Sequence, residues 1–234
     1  MKMKNSTRLL AGIALSVSLF SGLSHAQTFN GNIVNTAANS TIPSAGTGGC
    51  AAAPQTTGGT IFNNLVAGLP AGATVASVQM NFTHTFDNDV DMFLVAPNGQ
   101  ILELSTDNGG SFDNFTNTVF QDGAPNITTG AAPFTGTFSA EGSLVATNCG
   151  IVVTPTVQDL ASFTPGQNGT WQLLFLDDLG GDVGTMLSWS ITFAAPAVPA
   201  QIPTLSQWGM VILSLLVGLA AWISGRRRIR RESI

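Results

Sequence analysis

Between residues 9 and 225 the chain has no lysine and no arginine. Its eight basic residues, Lys2, Lys4, Arg8, Arg226, Arg227, Arg228, Arg230 and Arg231, all lie at the two ends. Of the 13 acidic residues, every one except Glu232 falls inside that interval. A surface so one-sided repels phosphate backbones, which excludes nucleic acid as a partner. It also demands cations from outside, because carboxylates crowded on a compact domain repel one another until a positive charge neutralises them.

Tyrosine is absent, and the chain holds two histidines, His25 and His84, and two cysteines, Cys50 and Cys149. Without a lysine the body cannot form a Schiff base, and without an arginine it has no guanidinium clamp. Loss of an N-terminal leader would leave His84 as the one histidine, too few for a histidine-rich zinc site. A Ser-His-Asp triad would need His84 as its base. Its place on an apolar strand face favours a hydrogen-bonded core histidine instead. No helical periodicity of useful length runs between residues 30 and 193, which excludes a helix bundle. A body free of lysine and arginine offers trypsin no site. The processed protein is therefore expected to survive trypsin even when denatured, and internal tryptic fragments on a gel would show the boundaries to be misdrawn.

The first residues, MKMKNSTRLLAGIALSVSLFSGLSHAQ, have the form of a secretory signal: a basic start, an apolar run over residues 9–20, and Ser24 and Ala26 at the spacing a signal peptidase reads. Cleavage is expected between Ala26 and Gln27. Outside the cytoplasm Cys50 and Cys149, the available pair, are expected to form a disulfide, which in the chain-entropy model stabilises the fold by ~4 kcal/mol.

Two-residue alternation recurs through the middle. VQMNFTHTF sets Val78, Met80, Phe82, His84 and Phe86 on one face, and LSWSITF sets Leu187, Trp189, Ile191 and Phe193 on another. DMFLVA, ILELS, TWQLLFL and GTIFNNLV add strands, with PNG, DNGG, GQNG and DLGGD as turns. About eight short strands at this spacing predict an all-β sandwich over residues 27–193. The acids sit at its turns. Asp87, Asp89 and Asp91 alternate, which on an extended strand brings them to one side about 7 Å apart, an arrangement that favours a hard cation. Asp113 and Asp122 complete the expected calcium ligands, and Asp107, Asp177, Asp178 and Asp182 are further candidates.

Residues 194–203 hold three prolines and no charge, which suits an extended spacer. From Trp208 to Ile223 the residues are almost all apolar, and a helix over them rises ~24 Å, a little under a bilayer core. Trp208 and Trp222 stand at interfacial positions, and the arginines that follow would place the C-terminus in the cytoplasm. Ile202, Pro203, Thr204, Leu205, Trp208 and Gly209, the apolar segment, and then Arg226, Arg227 and Arg228 resemble the IPTL-CTERM sorting signal of Gram-negative bacteria. The resemblance implies a tail over residues 202–231 that parks the chain in the inner membrane until an exosortase-type protease cuts near the motif.

HTFDNDVDMFLVAPNGQILELS, NGGSFDNFTNTVFQDGA, PFTGTFSAEGSL and NGTWQLLFLDDLGGDVGTMLSWSITF resemble the P domain, or homo B domain, that follows the catalytic domain in proprotein convertases. That resemblance implies a jelly-roll-like sandwich and, as in some P domains, calcium. The family's Gly-Asp-Leu after the His-Thr pair reads Asn88-Asp89-Val90 here. The functional expectation is a non-enzymatic exported protein of the cell surface or exterior. The alternatives are a carbohydrate-binding or adhesive module with a glycan or envelope partner, offering Trp171 or Trp189 for stacking, and an accessory to a serine peptidase.

Overall fold

The computed structural model describes residues 25–43, 59–142, 146–148, 151–196 and 205–229. The expected signal segment up to residue 24, Cys50 and Cys149, and Ile202, Pro203 and Thr204 lie outside them. The chain divides into two units, Met1–Pro196 and Ala197–Ile234.

The first unit is all β. Its described strands are β1 (Gln27–Asn30), β2 (Thr41–Ile42), β3 (Thr60–Val66), β4 (Thr74–His84), β5 (Val90–Val95), β6 (Ile101–Ser105), β7 (Phe115–Phe120), β8 (Phe134–Phe138), β9 (Ala146–Asn148), β10 (Ile151–Val153), β11 (Gly169–Asp177) and β12 (Gly184–Ala194). One sheet runs β1-β12-β4-β7-β8, with β2 also on β12, and the other runs β3-β11-β5-β6. A separate small ladder joins β9 to β10. The pairs are antiparallel except β7–β8, which is parallel and so departs from the hairpin pattern that alternation alone suggests. At one edge β1 lies along β12, with Gln27 opposite Phe193.

The two sheets close on a core built from phenylalanine. Phe82 of β4 stacks on Phe115 of β7 at 4.8 Å and meets Phe175 of the opposite sheet edge-on at 5.2 Å, while Phe115 stacks on Phe134 at 4.7 Å. Trp171 and Phe193 bridge the sheets in the same way at 5.5 Å. Phenylalanine rings carry no hydroxyl to satisfy, so a core without tyrosine leaves few polar groups stranded. Trp171 and Trp189 are both buried, and each indole N–H donates to a backbone carbonyl, Trp171 to Gln167 at 3.2 Å and Trp189 to Asn32 at 3.1 Å. Neither ring offers a face for a sugar.

The alternation of β4 holds through His84: Val78, Met80, Phe82 and His84 all point inward. In β12 it fails at one place. Leu187, expected inside, is 48% exposed, and Met186 is buried instead. A bulge between Met186 and Ser188 shifts the register against β4, and a one-residue shift exchanges the two faces. Just before the bulge, a Cβ on Gly184 would stand 2.1 Å from the Thr83 carbonyl oxygen, so the two backbones approach as only glycine permits. Gly184→Ala is expected to push β12 off β4 and cost about 1–3 kcal/mol, read as a lowered melting temperature.

The second unit contains helix α1 (Leu205–Ile229), whose residues 208–223 are exposed. The helix expected here is present, but among the described residues no helix is long and apolar enough to cross a membrane.

Candidate functional site

Three loops meet at one end of the sandwich. The backbone of Asp87 donates to the Phe112 carbonyl at 2.9 Å and that of Asn88 to Gly110 at 3.2 Å. The Asp178 amide donates to the Asp89 carbonyl at 2.9 Å, and Thr85 Oγ1 donates to Asp182 Oδ1 at 2.7 Å. These bonds draw the segment after β4, the glycine-rich loop before β7 and the β11–β12 loop into one acidic cluster. Close approach is again enforced by a glycine. Gly109 has φ +104°, and a Cβ there would meet that of Asp87 at 2.7 Å.

Asp87, Asp89 and Asp91 do not share one strand face. Asp87–Asp89 forms a 3-10 turn, and Asp91 lies beyond it in β5, paired in register with Leu176. The chain turns here because the backbone hydrogen bonds of Asp87 and Asn88 are taken by the 110–112 loop instead of a neighbouring strand. Of the other expected calcium ligands, Asp113 is exposed and close enough for its charge to act on Asp87. Asp122 stands elsewhere, its two oxygens accepting the backbone N–H groups of Leu160 and Ala161 at 3.0 and 2.8 Å. Among the described residues no three or more His, Cys, Asp or Glu side chains form a group that could hold a metal ion. Asp87 and Asp89 nonetheless each keep one buried oxygen, Oδ2, without a hydrogen-bond donor. Charged oxygens in that state suit a hard cation.

Burial pushes the Asp87 carboxyl up to about 7, against the hydrogen bond from the Asn114 amide and the attraction of His84. Burial also raises Asp89, to about 6, helped by the negative charges of Asp177, Asp178 and Asp182. Asp178 and Asp107 are raised as well, first by burial.

His84 and Asp177 close the cluster from inside. His84 is fully buried, with Nε2 3.2 Å from Asp177 Oδ2 and Nδ1 2.9 Å from the Phe86 carbonyl oxygen. Nδ1 also lies 3.3 Å from the Phe86 amide, which donates to it when that nitrogen carries no proton, so the ring is held on both sides in either protonation state. Burial lowers the His84 pKa, but the hydrogen bond to Asp177 and its charge, with the Phe86 carbonyl, outweigh it and the net shift is upward. Asp177 is raised as well, first by burial and against the hydrogen bond and charge of His84. The pairing joins residues 93 apart in sequence. Asp177 entered the sequence reading only as a further cation candidate, and only the inward register of His84 hinted at a buried partner.

Residues 200–228 match the family model described as the IPTL-CTERM motif. The tail is an IPTL-CTERM segment. For the body, the Transglutaminase-activating metalloprotease of Streptomyces mobaraensis is 29% identical over 155 residues, covering 59% of this chain and 15% of that protein. Leupeptin-inactivating enzyme 1 of Streptomyces exfoliatus is 26% identical over 129 residues, covering 55% of this chain and 20% of that protein. Among solved structures, the serine protease of Aeromonas sobria is similar with a TM-score of 0.39 and 16% identity, covering 73% of this chain and 26% of that one. The chain thus spans a fifth or less of the length of these curated relatives. The expectation of a non-enzymatic protein is corrected by them. A metalloprotease and a leupeptin-inactivating enzyme are enzymes by name, and the similarity of this chain to them stands against that expectation.

Proposed function

We propose that the chain acts in proteolysis outside the cytoplasm, its β-sandwich being a P-domain-like module of the kind that accompanies exported peptidases. The observation that carries this reading is the pattern of coverage. More than half of this chain aligns with two proteins named for peptidase-related activities, yet the match takes up only 15% and 20% of their lengths. A segment shared on those terms is a module joined to something larger in the relatives. Deleting the gene in the producing bacterium and following casein hydrolysis in envelope and culture fluid tests it. Lost hydrolysis, restored by the intact gene, is expected, and unchanged hydrolysis in both fractions would refute the role.

The IPTL-CTERM segment supports export with removal of the tail by an exosortase-type enzyme at the inner membrane. Signal cleavage between Ala26 and Gln27 and a cut near the motif would deliver the sandwich to the cell surface or exterior. The intact mass of the recovered protein reads both cuts and the Cys50–Cys149 disulfide together. Calcium belongs to the same reading. The donor-free oxygens of Asp87 and Asp89 would hold it, with backbone carbonyls and water completing the shell. Bound there, the ion would supply the positive charge that the body lacks.

A further inference from the structure

Asparagine stands directly before glycine at Asn30–Gly31, Asn98–Gly99, Asn108–Gly109 and Asn168–Gly169. In that order the glycine amide nitrogen is one ring closure from the side-chain carbonyl carbon, with no Cβ in its way, and the reaction between them needs no bimolecular encounter. The fold treats the four pairs differently. The Gly31 amide donates to the Trp189 carbonyl at 2.9 Å, and the Gly99 amide donates to the Ala96 carbonyl at 2.9 Å. Asn168 is clamped by Leu69, whose amide its Oδ1 accepts at 2.9 Å and to whose carbonyl its Nδ2 donates at 3.3 Å, and Gly169 opens β11 opposite Val66. At the remaining pair the Gly109 amide makes no hydrogen bond among the described residues. Asn108 and Gly109 are half-buried and Gly110 is exposed, so water reaches them.

We infer that Asn108 is a site of spontaneous covalent modification, its side-chain amide converting to a carboxylate with water as the co-reactant. The Gly109 nitrogen forms a bond to Asn108 Cγ, the Cγ–Nδ2 bond breaks, and Nδ2 leaves as ammonia, taking up the proton that the Gly109 nitrogen gives up. Water then opens the five-membered imide at one of its two carbonyls, giving aspartate or, with one extra methylene in the main chain, isoaspartate. Nothing is oxidised or reduced. The product undoes its own surroundings. Asn108 Nδ2 donates to Ser105 Oγ at 3.1 Å, to the Thr106 carbonyl at 2.9 Å and to Glu141 Oε2 at 2.8 Å. A carboxylate donates to none of them and stands against Glu141, in a body with no lysine or arginine between residues 9 and 225 to offset it. The extra methylene falls directly before Gly109, where the backbone is already packed against Asp87. The reaction therefore loosens the loop that holds the acidic turn. This inference does not depend on the proteolysis-associated reading.

The test ages the protein recovered from the producing bacterium at mildly alkaline pH, folded and, in parallel, in guanidinium chloride. Because the body offers trypsin no site, pepsin at acid pH releases the peptides, and mass spectrometry with isoaspartyl methyltransferase labelling reads each Asn–Gly pair. In guanidinium the four pairs are expected to convert at similar rates. In the folded protein Asn108 should convert several-fold faster than Asn30, Asn98 and Asn168, and the melting temperature should fall as it does. Asn108→Gln, whose longer side chain disfavours the ring, should keep its melting temperature over the same period. Conversion of Asn98 level with or ahead of Asn108, or an intact Asn108 in the folded protein once the guanidinium sample has converted, would overturn the assignment. A melting temperature that stays level while Asn108 converts would overturn the loosening of the loop.

Discussion

In EDTA, the melting temperature of the processed domain is expected to fall by about 10 °C as pH rises from 5 to 8. The folded protein holds Asp87 protonated to about 7 and Asp89 to about 6, whereas unfolded carboxyls of this kind lose their protons near 3.8. Across that window the folded state binds more protons than the unfolded chain, so raising the pH draws the equilibrium toward unfolding. Between pH 5 and the folded values the two groups together lose about 4 kcal/mol, at about 1.4 kcal/mol per unit. His84, also raised, acts in the same direction, since its contribution is full below its unfolded value and disappears as pH passes the folded one. Differential scanning calorimetry at several pH values checks the slope. A flat or rising profile would mean that water or neighbours already solvate these oxygens. Saturating calcium should flatten the fall if the ion binds Asp87 and Asp89, and an identical slope with and without calcium would dismiss the ion.

His84→Ala should cost about 3–5 kcal/mol, because it leaves the buried Asp177 without the imidazole that shares its proton. At this domain size that is again roughly 10 °C in melting temperature. Truncation to alanine also opens a void beside Gly184, whose ideal Cβ position is 2.9 Å from His84 Cδ2. The double variant His84→Leu with Asp177→Leu should recover part of the loss, since replacing both partners by packed apolar groups removes the stranded charge. Chemical denaturation of His84→Leu, Asp177→Leu and the double variant gives the coupling. A single His84→Ala effect below about 1 kcal/mol would show that the pair contributes little. Asp177→Asn should also lower the His84 pKa, which imidazole proton resonances would report.

The strands were legible wherever one face is buried along an uninterrupted ladder. Thr74–His84 alternates through its whole second half because β12 and β7 flank it on both sides. Alternation cannot announce a bulge, so Leu187 was placed inside when Met186 takes that position. The acidic residues were recognised as a group, yet their partners were misjudged for a related reason. Asp87–Asp89 is a turn whose backbone bonds run to residues 110 and 112, a contact with no trace in local periodicity. Asp122 looked like one more free carboxylate, whereas it holds the first amides of the turn at 160–162 from 38 residues away. The parallel pairing of β7 with β8 was equally invisible, because pattern within a strand says nothing about the direction of its neighbour. In the tail the sorting motif was legible, since motif, apolar stretch and arginines follow one another in order, and residues 200–228 match its family model.

The pairing of Gln27 with Phe193 has a bearing on maturation. The residue that would become the new amino end, and the residue that closes the sandwich before its spacer, are neighbours in one ladder. Scissors working on either side of this ladder would therefore spare the seam that joins β1 to β12. Each trimming would leave the garment sewn, and the order in which the two enzymes act would be immaterial to whether the body stays folded.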